Sequence, residues 1–490
     1  MPRFHANTPV ARVIASVLAL FVAAVELAST PPSPRPRRPA ALAKPAPRDI
    51  PYEEAKPVLE GLRTELLPEE LRSKTLDERR VAWPDWVARH DRAIRARLET
   101  GDRDSIVNFV LFGTTFTRRP RPTAADLVAL DQRANDHLPL FTGRIDDFIA
   151  AMASSGDNER LQFARRVLER LGFNPGTAPG REQVRQYLAE RLRQSTAELT
   201  TYASAIQAAR LRGDSRAELI ERTVFRDRGL SSDTSILVNF ALQGAFEVIK
   251  ASGLLDATAV RRVGLVGPGL DFADKHDGHD FYPQQTIQPF AVFDTLIRLR
   301  LAKVNELRLT TFDLSPRINQ HLDAARRRAD AGQGYPLALP RNMDLPWTQD
   351  LIAFWERFGA QIGTHGDGVA VPRNAGNVHV RTLRVRPSVV QSIDPIDLNI
   401  VLQRLELAPS ERFDLIVATD VLVYYDVFEQ SLALANLATM LRPGGLLLSN
   451  NQVFELPGIP MVAVGATNVA HTRAPAGGEL RDRVVWYRRQ

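Results

Sequence analysis

The chain has 490 residues, 44% of them apolar and 24% charged, which is enough for two or three domains with a sizeable buried core. Against 57 Asp and Glu, the 63 Lys and Arg leave a formal charge of +6. The excess is scattered as single Arg residues over helical stretches with no basic face interleaved with aromatics, so no nucleic-acid partner is expected. The absence of Cys excludes disulfides, cysteine nucleophiles and cysteine metal sites.

The chain opens with Arg3 and Arg12, an apolar run from Val13 to Val25, then Glu26 and small residues from Ala28 to Thr30. Residues 1–30 therefore read as a signal-like or anchor segment, although the run is short for a membrane span and Glu26 spoils the cleavage signal. Three readings stand: a cleaved signal peptide, a membrane anchor using residues 13–28, or a start placed upstream of a soluble protein. They put the protein outside the cytoplasm, at a membrane, or in the cytoplasm. Residues 31–51 hold eight prolines among Ala and Arg and are expected to be a linker, with the folded protein beginning near Tyr52.

From 52 to 230 the pattern predicts an all-α domain, broken at Pro68, Pro84, the basic loop Arg118 to Pro122, and Asn174-Pro175-Gly176. Leu161, Ala164, Val167, Leu168 and Leu171 make one stripe, with Gly172 placed as a C-cap. A longer helix after Gly180 carries Val184, Leu188 and Leu192 on one face. The expected structure is a bundle whose polar faces meet solvent. Ser105 to Phe116 and Ser235 to Phe246 share an Asn-Phe, Leu, Gly pattern, but one pair does not make a repeat.

Residues 236–490 alternate helix and strand. A helix from Ile236 to Ala251 leads into a short apolar strand ending in glycines, RVGLVGPG at Arg262 to Gly269. A helix at about 289–302 precedes a second strand, Leu307 to Phe312, which ends at Asp313. Strand, glycine loop, helix, strand and acid make the nucleotide-binding half of a Rossmann-like sheet. From Gly269 to Asp313 is 44 residues, where a dinucleotide fingerprint expects about 20, so the first loop holds an insertion at about 270–288. A second insertion is expected at 332–377, then a period-two strand Val378 to Val385, the segment Ile393 to Ile400, and a helix to Leu407. FDLIVATDVLVYYD at Phe413 to Asp426 follows: a strand apolar on both faces that stops at Thr419-Asp420, with a helix and the strand LRPGGLLLSNN after it. Ligands sit beyond the carboxyl ends of such strands, so Thr419, Asp420 and the loop to Tyr425 are expected to line a cleft. Val462 to His471 and Arg483 to Arg488 are expected to close the sheet edge as an antiparallel pair.

The ordered set GLVGPG, TTFDLSP, RFDLIVATDVLVYYD and LRPGGLLL resembles class I S-adenosylmethionine-dependent methyltransferases over about half of the chain, and the fourth-strand loop is similar to that of chemotaxis receptor methyltransferases. The resemblance implies an α/β fold with a Rossmann-like seven-stranded sheet and S-adenosyl-L-methionine as cofactor. It implies that Gly267 and Gly269 cradle the methionine part, that Asp313 holds the ribose, and that Asp397 with Leu398 contacts the adenine. Asp394 competes with Asp397, and Asp313 with Ser315 competes for the role of helix cap. Thr419 belongs with the cofactor residues. Asp420 falls between cofactor and acceptor and is the candidate base, and Tyr424 is the candidate hydroxyl for orienting a nucleophile.

The acceptor, a small molecule or a protein, is not named by these residues. Two other classes remain alternatives: a non-catalytic Rossmann-like binding protein and a nicotinamide-dependent oxidoreductase. Lys275 to Asp280 holds two His and two Asp, with His365 and Asp367 in the other insertion, but the spacing fits no closed zinc pattern and no metal is expected. The two insertions are expected to form a lid whose aromatics, Phe281, Tyr282, Trp347 and Trp355, shape the acceptor pocket.

Overall fold

A computed structural model describes residues 46–122, 126, 138–211, 229–231, 234–272, 279–450, 452–453, 455–473 and 478–490. The signal-like segment and residues 31–45 of the proline-rich stretch lie outside the described residues. Among the described residues no helix is long and apolar enough to cross a membrane.

In chain order the main elements are β1 (Pro47–Asp49), α1 (Tyr52–Gly61), α2 (Leu76–Phe112), α3 (Leu138–Ala153), α4 (Glu159–Arg170), α5 (Ala178–Leu211), α6 (Ile236–Ala251), β2 (Arg262–Val266), α7 (Gln288–Arg298), β3 (Arg308–Asp313), α8 (Pro316–Asp330), β4 (Tyr335–Asn342), α9 (Gln349–Arg357), β5 (Gly363–His365), β6 (Val378–Val385), β7 (Ile393–Asp397), β8 (Gln403–Leu405), β9 (Phe413–Ala418), α10 (Val427–Met440), β10 (Leu441–Ser449), β11 (Met461–Arg473) and β12 (Glu479–Arg489). Seven strands form one sheet in the order β7, β3, β2, β9, β10, β12, β11. The first five are parallel, and β12 enters antiparallel between β10 and β11. That is the Rossmann-like seven-stranded sheet expected from the motifs. The strand order reverses between β2 and β9, so the crevice at their carboxyl ends is where such a sheet holds ligands.

The sequence of β9 explains why the sheet lies in the middle. All six residues are buried. Leu415 and Val417 enter one core with α6, α7 and α8, while Ile416 and Ala418 enter a second with α1, α2 and α10. Alternation across the pleat therefore feeds two apolar layers from one continuous run. A third core joins the second half of α2 to α3, α4 and α5, where Val184, Leu188 and Leu192 are buried as the stripe requires, and Phe272 from the glycine loop completes it. Gly172 has φ +87°, the left-handed conformation of a helix terminator.

Four expectations change. Pro84 does not break the helical pattern but lies inside α2. The stretch after Ile400 is not a helix to Leu407: Gln403 to Leu405 form β8, antiparallel to β1. β1 thus lies ahead of Tyr52, and Ile50 is 2% exposed. The second insertion folds as a small antiparallel sheet, β4, β6, β5, which takes in the period-two strand and runs on to Val385.

Candidate functional site

A cleft opens at the carboxyl ends of β2, β3 and β9, where a doubly wound sheet holds its ligands. Its floor begins where β2 ends. Gly267 and Gly269 have φ of +65° and +70°, and the Gly267 amide donates to the Phe312 carbonyl at 2.9 Å, tying the turn to β3. A Cβ on Gly267 would stand 2.5 Å from Val421 Cγ2, so only glycine leaves this cradle open. Asp313 stands at the end of β3 in the same lining, with Leu314, Ser315, Leu398 and Ile400 beside it. One oxygen of Asp313 accepts from the Ser315 amide at 2.8 Å. That bond fixes the turn ahead of α8, whose N-cap is Ser315, and Asp313 itself faces the cleft. Burial pushes its carboxyl up to about 7; the Ser315 amide and Arg317 oppose the rise, and the charge of Asp397 adds to it.

The opposite wall follows β9. Thr419 is buried and its hydroxyl accepts from the Gln288 amide at 2.7 Å. Asp420 has φ +56°, a conformation that costs a non-glycine residue of order 1–2 kcal/mol. Asn450, just past β10, holds it there: the Asp420 amide donates to Asn450 Oδ1 at 2.9 Å and Asn450 Nδ2 donates to the Asp420 carboxylate. Tyr424 and Tyr425 complete this wall. Burial and the nearby Glu429 keep the Tyr425 phenol above its ordinary range, so it is neutral.

The roof is built by α2 with residues 229–231 and 234–235. Along one face of α2, His90 Nε2 meets Glu429 at 2.8 Å, Asp91 accepts from Asn399 at 2.8 Å, Arg95 donates to Asp397 at 2.8 Å, and Arg97 donates to the Tyr424 carbonyl at 2.6 Å. Leu98 then lines the cleft, and Gly101 lets Leu230 pass so closely that a Cβ would lie 1.9 Å from its carbonyl oxygen. The Leu230 amide donates to the Arg97 carbonyl at 3.2 Å. Leu230, Ser231, Thr234, Ser235 and Val238 close the top.

Of the residues expected from sequence, Gly267, Gly269, Asp313, Leu398, Thr419, Asp420 and Tyr424 meet at this cleft. Asp397 does not line it. It sits at the rim with its side chain 52% exposed, paired to Arg95. Asp394, its competitor, is earlier in β7 and is held by Arg326. The lid expectation is corrected: Phe281, Tyr282, Trp347 and Trp355 are not in the lining. Trp347 and Trp355 are core residues flanking Arg341, and the Tyr282 hydroxyl donates to Asp271 at 2.8 Å. Of the polar loop, His276 lies outside the described residues, and Asp280 is saturated by the amides and hydroxyls of Thr114 and Thr115. Sequence reasoning missed Gln288, Asn450, Arg95, Arg97 and Gly101. The SNN after the fifth strand and the lone glycine inside a helical pattern were the available signals for Asn450 and Gly101.

No protein-family model and no curated protein matches the chain. Among solved structures it is similar to the N-methyltransferase NodS from Bradyrhizobium japonicum WM9 in complex with S-adenosyl-L-homocysteine, at 15% identity over 55% of this chain and 96% of that one, with a TM-score of 0.25. It is also similar to the magnesium protoporphyrin IX methyltransferase of Synechocystis PCC 6803 with bound SAH, at 11% identity over 55% and 100%, TM-score 0.25. The glycopeptide N-methyltransferase MtfA is similar at 10% identity over 51% and 95%, TM-score 0.22. At these values the likenesses decide nothing about function. The sheet order and the cleft carry the functional reading.

Proposed function

We propose that the protein transfers a methyl group from S-adenosylmethionine to an acceptor bound under the α2 roof. The observation that carries this reading is the meeting of the Gly267 cradle and the Asp313 carboxylate in one cleft at the switch point of a sheet whose last strand is antiparallel. The cleft fits the cofactor by its chemistry. Gly267 and Gly269 leave backbone exposed to the amino-acid part, and the Asp313 carboxylate accepts from both ribose hydroxyls. Leu314, Leu398 and Ile400 offer an apolar slot for a purine ring. The Leu398 amide already donates to the Asp313 carbonyl at 3.3 Å, so its contribution to the ring is through its side chain. Asp397, at the rim, serves the adenine side by holding the roof through Arg95 as well as by its own charge.

Bound there, the cofactor supplies an electrophilic methyl group on a sulfonium. The chain's own task is then to align the acceptor and exclude water, since an in-line displacement needs little else from the protein. Thr419, fixed by Gln288, and Asp420, fixed by Asn450, set the acceptor wall. Tyr424 lines it with a buried ring, and its hydroxyl orients the nucleophile. The roof of Leu98, Leu230 and Val238 keeps the site dry. The catalytic domain acts where the cofactor is made, in the cytoplasm, whether or not the N-terminal segment tethers it.

Calorimetric titration of the full chain with S-adenosylhomocysteine and, separately, with NAD tests this. Micromolar binding of the former and none of the latter is expected. Binding of NAD alone, or of neither, removes the reading.

A further inference from the structure

We infer that the acceptor is an amine, drawn in by the Asp420 carboxylate; the inference rests on the methyl-transfer reading. The first observation is the charge of the cleft. Among its described lining residues the only charged side chains are Asp313 and Asp420, with no Lys, Arg or His. Arg97, a cation of the roof, donates to the Tyr424 carbonyl and lies 5.8 Å from the Tyr425 ring centre, which ties it to the wall. The two carboxylates belong to different ends. Asp313 closes β3 beside the apolar slot, whereas Asp420 follows β9 beside Thr419.

The second observation is the way Asp420 is held. A left-handed residue pinned by a side chain from a different strand loop is a specified feature, retained despite its strain. What it specifies is a negative group in a partly enclosed cleft. With no Lys, Arg or His in the described lining, a carboxylate or phosphate acceptor finds no side-chain counter-charge there. An ammonium finds one in Asp420. Between an alcohol and an amine the decision is chemical. An alcohol must lose its proton as it attacks, and a carboxylate without a metal or a histidine beside it is a weak base for that purpose. An amine needs only to arrive as the ammonium and give up one proton beforehand.

The steps balance. The ammonium R–NH3+ passes a proton to the Asp420 carboxylate or to water, leaving a nitrogen lone pair. That pair forms the N–CH3 bond while the C–S bond breaks with its electrons going to sulfur. The products are R–NH2+–CH3 and the neutral thioether, and the positive charge has moved from sulfur to nitrogen beside Asp420.

Two cofactor analogues read this without knowing the acceptor. Sinefungin carries an ammonium-bearing carbon where the cofactor has its methyl sulfonium, whereas S-adenosylhomocysteine is neutral there. The wild-type chain is expected to bind sinefungin about tenfold or more tighter than S-adenosylhomocysteine. Asp420→Asn should erase that preference while keeping S-adenosylhomocysteine affinity within about twofold, which also shows that the variant folds. A preference unchanged in Asp420→Asn overturns the assignment of Asp420. Failure of wild type to bind S-adenosylhomocysteine removes the methyl-transfer reading itself and the inference with it. Methyl-tritiated S-adenosylmethionine then distinguishes acceptor classes on matched probes. Label in benzylamine or putrescine supports the amine, and label in benzyl alcohol, catechol or benzoate instead of the amines overturns it.

Discussion

The floor and the roof of the cleft are built on different terms. The floor comes from strand ends whose positions are fixed by a sheet with a fully buried central strand, and its key residues, Gly267 and Asp313, act through backbone shape and a single carboxylate. The roof is a helix from a distant part of the chain, held by separate polar contacts at His90, Asp91, Arg95 and Arg97, most of them partly exposed. Errors in the floor should therefore be nearly all-or-none, while errors in the roof should be graded. The difference separates what binds the cofactor from what keeps it enclosed.

The largest effect is expected at Gly267. Gly267→Val places a β-branched residue at φ +65° and drives its side chain into Val421, 2.5 Å from the first added carbon. S-adenosylhomocysteine affinity should fall at least about a hundredfold in a calorimetric titration, with circular dichroism unchanged. Asp313→Ala comes next, at about thirty- to a hundredfold, because two charge-assisted hydrogen bonds are lost.

Asp313 also predicts a pH dependence. Its folded-state value of about 7 lies above the unfolded value near 3.8, so the folded chain binds a proton more tightly. That group's contribution is most favourable below pH 4 and is lost as pH rises through 7. Asp313→Asn should therefore be more stable than wild type above pH 7, by roughly 1–4 kcal/mol in thermal melts, and no more stable at pH 4. Cofactor binding carries the opposite sign, since ribose hydroxyls donate to the ionised form. Affinity should rise about tenfold per unit as pH climbs toward 7 and flatten above it.

The floor was legible because its signals are local. An apolar run on both faces, a glycine turn and an acid after the second strand each lie within a few residues, and β9, Gly267 and Asp313 fall where those patterns put them. The roof was not legible, because the polar face of α2 looks the same in sequence whether it meets water or the rim of another domain. Arg95 and Arg97 read as solvated charges, yet their partners, Asp397 and Tyr424, are about three hundred residues away. The misread helix at Gln403 to Leu405 has the same origin: its strand partner Pro47–Asp49 sits in a proline-rich stretch with no strand signal of its own.

Gly101→Ala tests the roof at its tightest point. The new Cβ would need space held by the Leu230 carbonyl, so residues 229–231 must lift off α2 and the top of the cleft opens. S-adenosylhomocysteine should bind about tenfold more weakly, through a faster off-rate seen by stopped flow, while the pH dependence set by Asp313 persists. An unchanged off-rate would mean that the roof encloses nothing.

Arg95→Met is expected to have the smallest effect. The Arg95 to Asp397 pair is 29% and 52% exposed on its two sides, and such pairs contribute about 0–1 kcal/mol. Methionine keeps most of the aliphatic stem and removes the charge. Affinity for the cofactor should drop about threefold at low salt, and the difference from wild type should shrink as salt is raised to about 0.5 M. Removing Arg95 also leaves the Asp397 charge uncompensated close to Asp313, which pushes the Asp313 carboxyl further up. The midpoint of the affinity profile should thus move to higher pH, a shift that loss of packing alone would not produce. A threefold loss with an unmoved midpoint would assign Arg95 to holding the helix in place and take it out of the electrostatics of the floor.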